Sequence, residues 1–310
     1  MTILITSVGT ATSVNLIRFL KRKGISVAGT DLNPYGYTAG SMMADAFAQI
    51  PPAADPGFFP ALLGAIRRFG ADLLIPVHDE EVVFLADKRE QIPCGMLLAE
   101  APVIRLFHDK IDSCRAMERI GIPVPARLDR DDPSRPRVLK KRISVGSKGV
   151  TILAPGEPCP ESDLKENLLQ TYVSGEEYTV DALCDPFGKP AYLVPRKRLE
   201  VKSGVATKVL VEKETGLIAL AEKILEAYPI PGFSNLQFIR DEGGRYWFVE
   251  VNPRFSGCGA ATLAVCEGYL DSWLSFAEGK PFEGTLNRDV RWQSVVTRYY
   301  EEKVYHADHL

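Results

Sequence analysis

At 310 residues, with 45% hydrophobic and 25% charged residues, the chain is long enough for two or three domains with cores of their own, and its composition is that of an ordinary globular protein. A formal charge of −3 gives no electrostatic footing for nucleic acid or an anionic membrane, and no apolar run approaches the roughly 20 residues of a membrane span. Six cysteines (Cys94, Cys114, Cys159, Cys184, Cys258, Cys266), with no Cys-x-x-Cys pair, read as buried thiols of a reducing cytoplasm, the expected location.

The N-terminus, Met1-Thr2-Ile3-Leu4-Ile5-Thr6, has no basic leader and reads as the start of a strand over Ile3–Val8 rather than a signal peptide. Ser13 to Lys23 has the apolar spacing of a helix, and Gly24 stops it. A second strand, Ile25–Thr30, ends at Asp31. A helix over Phe59–Phe69 and strands over Leu73–Val77 and Gly95–Ala99 follow. Strands alternating with helices predict βαβ units and a parallel sheet covered on both faces, with ligands beyond the strands' carboxyl ends. Gly9, Asp31 and Pro76-Val77-His78-Asp79-Glu80-Glu81 lie at such ends.

The pattern changes near residue 100. A helix is expected over Asp109–Ile120, and a polar, proline-rich stretch runs from Asp129 to Pro136. From Arg137 onward β-segments dominate: Arg137–Lys141, Gly149–Leu153, Gln170–Val173, Glu177–Cys184, Ala191–Pro195, Ser234–Arg240 and Arg245–Val251. Turns at Asp185-Pro186-Phe187-Gly188 and Asp241-Glu242-Gly243-Gly244 predict hairpins. One helix (Thr215–Tyr228) interrupts the strands and another (Gly259–Phe276) follows them.

Four segments carry candidate chemistry. In Trp247-Phe248-Val249-Glu250-Val251-Asn252-Pro253-Arg254, Glu250 and Asn252 share a strand face, roughly 6–7 Å apart. Two oxygen ligands at a strand end suit Mg²⁺, Pro253 ends the strand, and Arg254 offers a bidentate fork to a phosphate. On the preceding strand, Gln237 of Asn235-Leu236-Gln237 is a neutral oxygen ligand within reach of the same metal. Second, Lys140 runs into Gly146-Ser147-Lys148-Gly149, a loop whose backbone can approach an anion closely. Its spacing is not that of a Walker A loop, and a solvated basic turn is the competing reading. Third, Gln170-Thr171-Tyr172-Val173-Ser174-Gly175-Glu176-Glu177 reads by itself as a hairpin with a surface acid. Fourth, Asp109-Lys110 places a cation at a helix start, which opposes the helix dipole unless an anion is near.

Occurring together and in this order, these segments resemble the ATP-grasp superfamily, of the carbamoyl phosphate synthetase and carboxylate–amine ligase type, over roughly residues 100 to 290. The resemblance implies an α/β, Rossmann-like pre-ATP-grasp domain (1–100) with a parallel sheet. An α+β ATP-grasp domain of two subdomains (101–169 and 170–310) follows. It implies ATP and Mg²⁺ as cofactors, with Mn²⁺ as an alternative ion. Lys110 and Lys140 correspond to the phosphate-contacting lysines, and Gly146, Ser147, Lys148 and Gly149 to the loop that closes over the phosphates. Gln170 with the backbone of Tyr172 and Val173 corresponds to the adenine hinge, and Glu177 to the ribose acceptor. Gln237, Glu250 and Asn252 correspond to the metal ligands, Gln237 standing where much of the superfamily has a carboxylate. Arg254 corresponds to the residue that stabilises the transferring γ-phosphoryl group.

The implied activity is formation of an acyl phosphate and ADP from a small carboxylate, followed by attack of an amine or amino acid. Arg196 and Arg198, on one strand face, are expected to clamp a substrate carboxylate, with His78, Asp79 and Glu80 facing the same cleft. No nucleic acid or membrane is expected as partner, and the resemblance admits a homodimer. Three other readings stay open. One is a carbamoyl phosphate synthetase-like component that needs a partner. Another is a nucleotide-binding dehydrogenase, suggested by Gly9 and Asp31 but lacking the Gly-x-Gly-x-x-Gly spacing. The last is a non-catalytic ATP-binding module.

Overall fold

The computed structural model describes residues 1–144, 149–160, 166–202, 204–299, 301–302 and 304. Strands β1 (Thr2–Ile5), β2 (Ser26–Asp31), β3 (Ala46–Gln49) and β4 (Leu73–Ile75) form a parallel sheet in the order β3-β2-β1-β4. Successive side chains of β1 go to opposite faces: Ile3 and Ile5 pack with Leu16, Ile17 and Leu20 of helix α1 (Ala11–Arg22). Leu4 packs instead with Leu62 and Ile66 of helix α3 (Phe58–Phe69). The parallel sheet is thus covered on both faces, as the sequence predicts. Helix α2 (Ala39–Met43) lies on the loop between β2 and β3.

Two expectations need correction here. Gly95–Ala99 forms no strand, only a bridge from Gly95 to Leu73. The carbonyls of Leu98 and Ala99 accept from the Arg89 guanidinium instead of a neighbouring strand. Conversely, β3, which the sequence reading lacked, is a four-residue edge strand with three half-buried residues and an exposed Gln49, too short to show a period.

Helices α4 (Asp79–Ala86), α5 (Ala101–His108) and α6 (Lys110–Arg119) lead into a three-stranded antiparallel sheet of β5 (Arg137–Lys141), β6 (Val150–Leu153) and β7 (Asn167–Thr171), ordered β6-β5-β7. The chain then enters a six-stranded antiparallel sheet, ordered β12-β11-β8-β9-β10-β13. Its members are β8 (Glu176–Cys184), β9 (Pro190–Lys202), β10 (Val205–Val211), β11 (Gly232–Arg240), β12 (Tyr246–Asn252) and β13 (Ser294–Thr297). Strand β10 is an addition to the segments read from sequence. The segment around Gly175 is no hairpin, because β7 and β8 belong to different sheets. It is a crossing point, and Gly175 is needed there: a Cβ would stand 2.0 Å from the Arg240 carbonyl oxygen. The hairpin turns at Asp185–Gly188 and Asp241–Gly244 form as expected.

On β8, Tyr178, Val180, Ala182 and Cys184 pack against helix α7 (Thr215–Ala227), while Thr179 and Asp181 face the opposite side. The expected helix Gly259–Phe276 is two helices, α8 (Gly259–Val265) and α9 (Tyr269–Ala277). The break has a cause at Gly268, whose N–H donates to Asp289 at 2.5 Å and whose Cβ, if present, would meet Asp289 and the Tyr192 hydroxyl at 2.8 Å. The core that buries α1 continues without interruption into Leu183, Tyr192, Phe233, Tyr269 and Trp273, so the topological change near residue 100 is no break in the core. No disulfide forms among the described residues, and all the cysteines except half-buried Cys94 are buried. No helix among the described residues is long and apolar enough to cross a membrane.

Candidate active site

A cavity of about 560 Å³ opens between the small sheet, the large sheet and the β1–α1 and β4–α4 turns. That is the size of an ordinary small-ligand or cofactor site. Its walls combine segments that are far apart in the chain.

The metal candidates come from neighbouring strands. Gln237 on β11 pairs with Glu250 on β12, and Asn235 with Asn252. The amide nitrogen of Asn252 donates to Glu250 Oε1 at 3.0 Å and to Asn235 Oδ1 at 3.2 Å. Both amide hydrogens of Asn252 are thereby used, and its side-chain oxygen is the atom left for a ligand. No cluster of three or more His, Cys, Asp or Glu residues suited to a metal occurs among the described residues. The donor set is one carboxylate and neutral amides, which fits Mg²⁺ that keeps substrate phosphates and water in its shell.

Both lysines line the cavity. Lys110 begins α6, whose N-cap is Asp109, and its Nζ donates to Ser144 Oγ at 3.0 Å. Lys140 stands on β5. Burial pushes its ammonium below the usual lysine range and the Lys110 charge adds to the effect, while Cys114 and Glu250 oppose it. Two cations held side by side with little to neutralise them suit a polyanion. Gly149 closes the return from Lys141 at φ +78°. Gly146, Ser147 and Lys148 lie outside the described residues.

At the hinge, Gln170 is buried and its amide nitrogen donates to the Pro125 carbonyl at 2.9 Å, so this group is a wall of the cavity rather than a free reader of a base. Tyr172 donates its N–H to Pro136 at 3.1 Å and leaves its ring exposed, and Val173 lines the cavity. Glu177 is at the rim, paired with Arg198 at 2.7 Å.

The structure corrects the carboxylate clamp. Arg196 is 1% exposed and is bonded in bidentate fashion to Asp181, at 2.8 and 2.7 Å, and to Ser256 at 3.1 Å. These contacts take Nε and Nη2; Arg196 still lines the cavity, and its Nη1 meets no hydrogen-bond partner among the described residues, so Asp181 holds one edge of the guanidinium that the clamp expected to be free. Arg198 does face the cavity, but holds Glu177 and the Gly204 carbonyl. Glu80 is exposed on the first turn of α4 and does not reach the cavity, whereas its neighbours His78 and Asp79 do.

Arg254 lines the cavity and pairs with Asp79 from the N-terminal domain, Nε to Oδ1 at 2.6 Å and Nη2 to Oδ2 at 2.9 Å. Behind Asp79, the buried Glu81 accepts from Thr6, Ser7 and the His78 N–H, which ties α4 to the end of β1. Burial raises the Glu81 carboxyl above its usual range, against these hydrogen bonds. Sequence reasoning did not single out Glu81, although the spacing His78-x-x-Glu81 is that of a capping box. Asn235 was likewise only a neighbour of Gln237 in the sequence.

The β1–α1 turn does not favour a dinucleotide. Asp31 accepts from Gly9 N at 2.6 Å and from both the backbone and side chain of Asn33 at 2.9 and 2.8 Å. The acid that would hold a ribose is used to pin the turn.

Residues 163–276 match the family described as "ATP-grasp in the biosynthetic pathway with Ter operon", and residues 3–96 match "PylC-like, N-terminal domain". The fold is that of the ATP-grasp superfamily, carried on a PylC-like N-terminal domain. The carbamoyl phosphate synthase large chain of Caldanaerobacter subterraneus subsp. tengcongensis is 34% identical over 119 residues, covering 35% of this chain and 10% of that one. Biotin carboxylase of Haemophilus influenzae is 22% identical over 269 residues, 80% of this chain and 58% of that one. The chain thus spans a small part of the first relative and little more than half of the second. Among solved structures, the biotin carboxylase domain of the Hydrogenobacter thermophilus 2-oxoglutarate carboxylase, bound to MgADP, ADP and bicarbonate, superposes with a TM-score of 0.72 at 19% identity, over 95% of this chain and 73% of that one.

Proposed function

We propose that the protein is an ATP-dependent ligase that activates a small-molecule carboxylate as an acyl phosphate, releases ADP, and passes the acyl group to an amine or amino acid. The observation that carries this reading is the meeting of Lys110, Lys140, Gln237, Glu250, Asn252 and Arg254 around one cavity, from four elements and the loop after β12. Such a set supplies positive charge and oxygen ligands at one place, which is what phosphoryl transfer asks of a protein.

In the reaction, a substrate carboxylate oxygen attacks the γ-phosphorus of ATP and the bond to the β–γ bridging oxygen breaks. The amine then attacks the acyl carbon, and inorganic phosphate leaves as the amine gives up a proton. Lys110 and Lys140 hold the phosphates, and Arg254 faces the charge that develops on the transferring group. Gln237, Glu250 and Asn252 would hold Mg²⁺, which when bound neutralises phosphate charge. No protein nucleophile is required.

The test is ADP release from the isolated chain with MgATP, a panel of small carboxylates and amino acids, and hydroxylamine as the trap. A carboxylate-dependent hydroxamate supports the reading. Absence of ADP release with every carboxylate would overturn it for the isolated chain. Activity that appears only on adding a partner protein would support the synthetase-component reading, to which the 34% identity over 119 residues lends weight.

A further inference from the structure

Arg254 is held in place from the other end of the chain. Its Nε and Nη2 donate to the two oxygens of Asp79 at 2.6 and 2.9 Å, and its Nη1 donates to the Phe255 carbonyl at 3.2 Å. A guanidinium has five N–H donors, one on Nε and two on each terminal nitrogen. The three contacts use one on each nitrogen. One hydrogen therefore remains on Nη1 and one on Nη2, available to an oxyanion. Both side chains are mostly buried, at 16% and 15% exposure, and both line the cavity.

Asp79 is itself fixed. It opens α4, and two residues on, Glu81 is gripped by the hydroxyls of Thr6 and Ser7 at the end of β1. A carboxylate beside an incoming triphosphate is unfavourable by charge alone. Its place here is explained by what it does to the arginine. Without it, a long side chain with four rotatable bonds would have to be ordered when the substrate arrives, at a cost in entropy.

We propose that Asp79 is a positioning residue for phosphoryl transfer: it grips one edge of the Arg254 guanidinium and aims the two remaining N–H groups at the oxyanion of the transferring γ-phosphoryl group. This rests on the ligase reading above. It makes the N-terminal domain a working part of the ATP site through a residue that touches no phosphate.

The experiment is calorimetric titration of the full chain with MgADP alone and with MgADP plus fluoroaluminate, a mimic of the phosphoryl group in flight. Wild type is compared with Asp79→Asn, Asp79→Ala and Asp79→Glu, and thermal melts are run in parallel. Wild type should bind MgADP more tightly when fluoroaluminate is present. Asp79→Asn and Asp79→Ala should keep the MgADP Kd within about twofold while losing about tenfold or more of the fluoroaluminate gain, and Asp79→Glu should recover part of it. An undiminished gain in Asp79→Ala overturns the proposal. So does a parallel loss of MgADP affinity and melting temperature in Asp79→Asn, the mark of a purely structural role. A wild type that binds MgADP without any gain also overturns it and leaves the nucleotide site standing, whereas a wild type that fails to bind MgADP removes the ligase reading as well.

Discussion

Gln237 stands directly opposite Glu250 in the β11–β12 ladder, and the register slips immediately beyond the pair. Opposed positions bring side chains within about 5 Å of one another, so a carboxylate and an amide share one ligand position. The site therefore carries one formal negative charge where two would fit. Gln237→Glu should tighten Mg²⁺ by about tenfold, and Glu250→Gln should weaken it by a similar factor, because affinity for a hard cation follows ligand charge. The Mg²⁺ dependence of nucleotide binding measures both. Unchanged dependence in both variants would take the metal away from this pair.

The depressed ionisation of Lys140 has two consequences of opposite sign. In the window between its folded value and the ordinary lysine value of 10.5, the unfolded chain binds a proton there that the folded chain does not. Stability of the free protein should therefore rise with pH through that window. ATP affinity should fall over the same window, since the neutral amine no longer attracts phosphate. Lys140→Met should flatten both trends. Paired melting curves and nucleotide titrations from pH 7 to 10 would check this, and an ATP affinity that holds constant to the ordinary lysine range would refute it.

Arg254→Ala should lower kcat by about 10³-fold or more, the range found for arginines that stabilise a phosphoryl transition state. The dissociation constant for MgATP should change much less, because the interaction matters most when charge develops. Equal losses in binding and turnover would assign Arg254 to ground-state binding.

The Arg196–Asp181 pair, 1% and 2% exposed, is expected to act on stability rather than on substrate. Arg196→Ala leaves Asp181 and the Thr262 hydroxyl bonded to it inside the core without the cation. The cost should be about 3–5 kcal/mol in chemical denaturation. A stable Arg196→Ala protein with a raised KM for its carboxylate would restore the clamp expected from sequence.

Gly175→Ala should destabilise by about 1–3 kcal/mol, because the added methyl stands 2.0 Å from the Arg240 carbonyl oxygen and the crossing between the two sheets must shift. Hydrogen exchange should show the loosening first in Tyr172–Glu177. A variant as stable as wild type would show that the crossing relaxes freely.

The alternation of strands and helices up to residue 100, the β-rich remainder and the Glu250-x-Asn252-Pro253-Arg254 segment were all legible in the sequence. A period of two or of 3.6 is a local property that survives without knowledge of neighbours. Elements whose signal is not periodic escaped it. Strand β3 is four residues long, and the break between α8 and α9 answers to Asp289 and Tyr192, which lie well outside the helices.

For the site, Glu250, Asn252 and Arg254 stood out by residue type alone, whereas Lys110, Lys140 and Gln237 were joined to them by the order of the motifs and its resemblance to the ATP-grasp superfamily. The sequence had no means of deciding what else each side chain meets. Arg196 and Arg198 look alike on one strand face and both line the cavity, yet one is buried against Asp181 and the other pairs with Glu177 at the rim. Asp79 and Arg254 are 175 positions apart, and only the docking of α4 against the loop after β12 makes them partners. Periodicity says which face a residue occupies, while the element packed on that face decides whether its charge is free for a ligand or already matched.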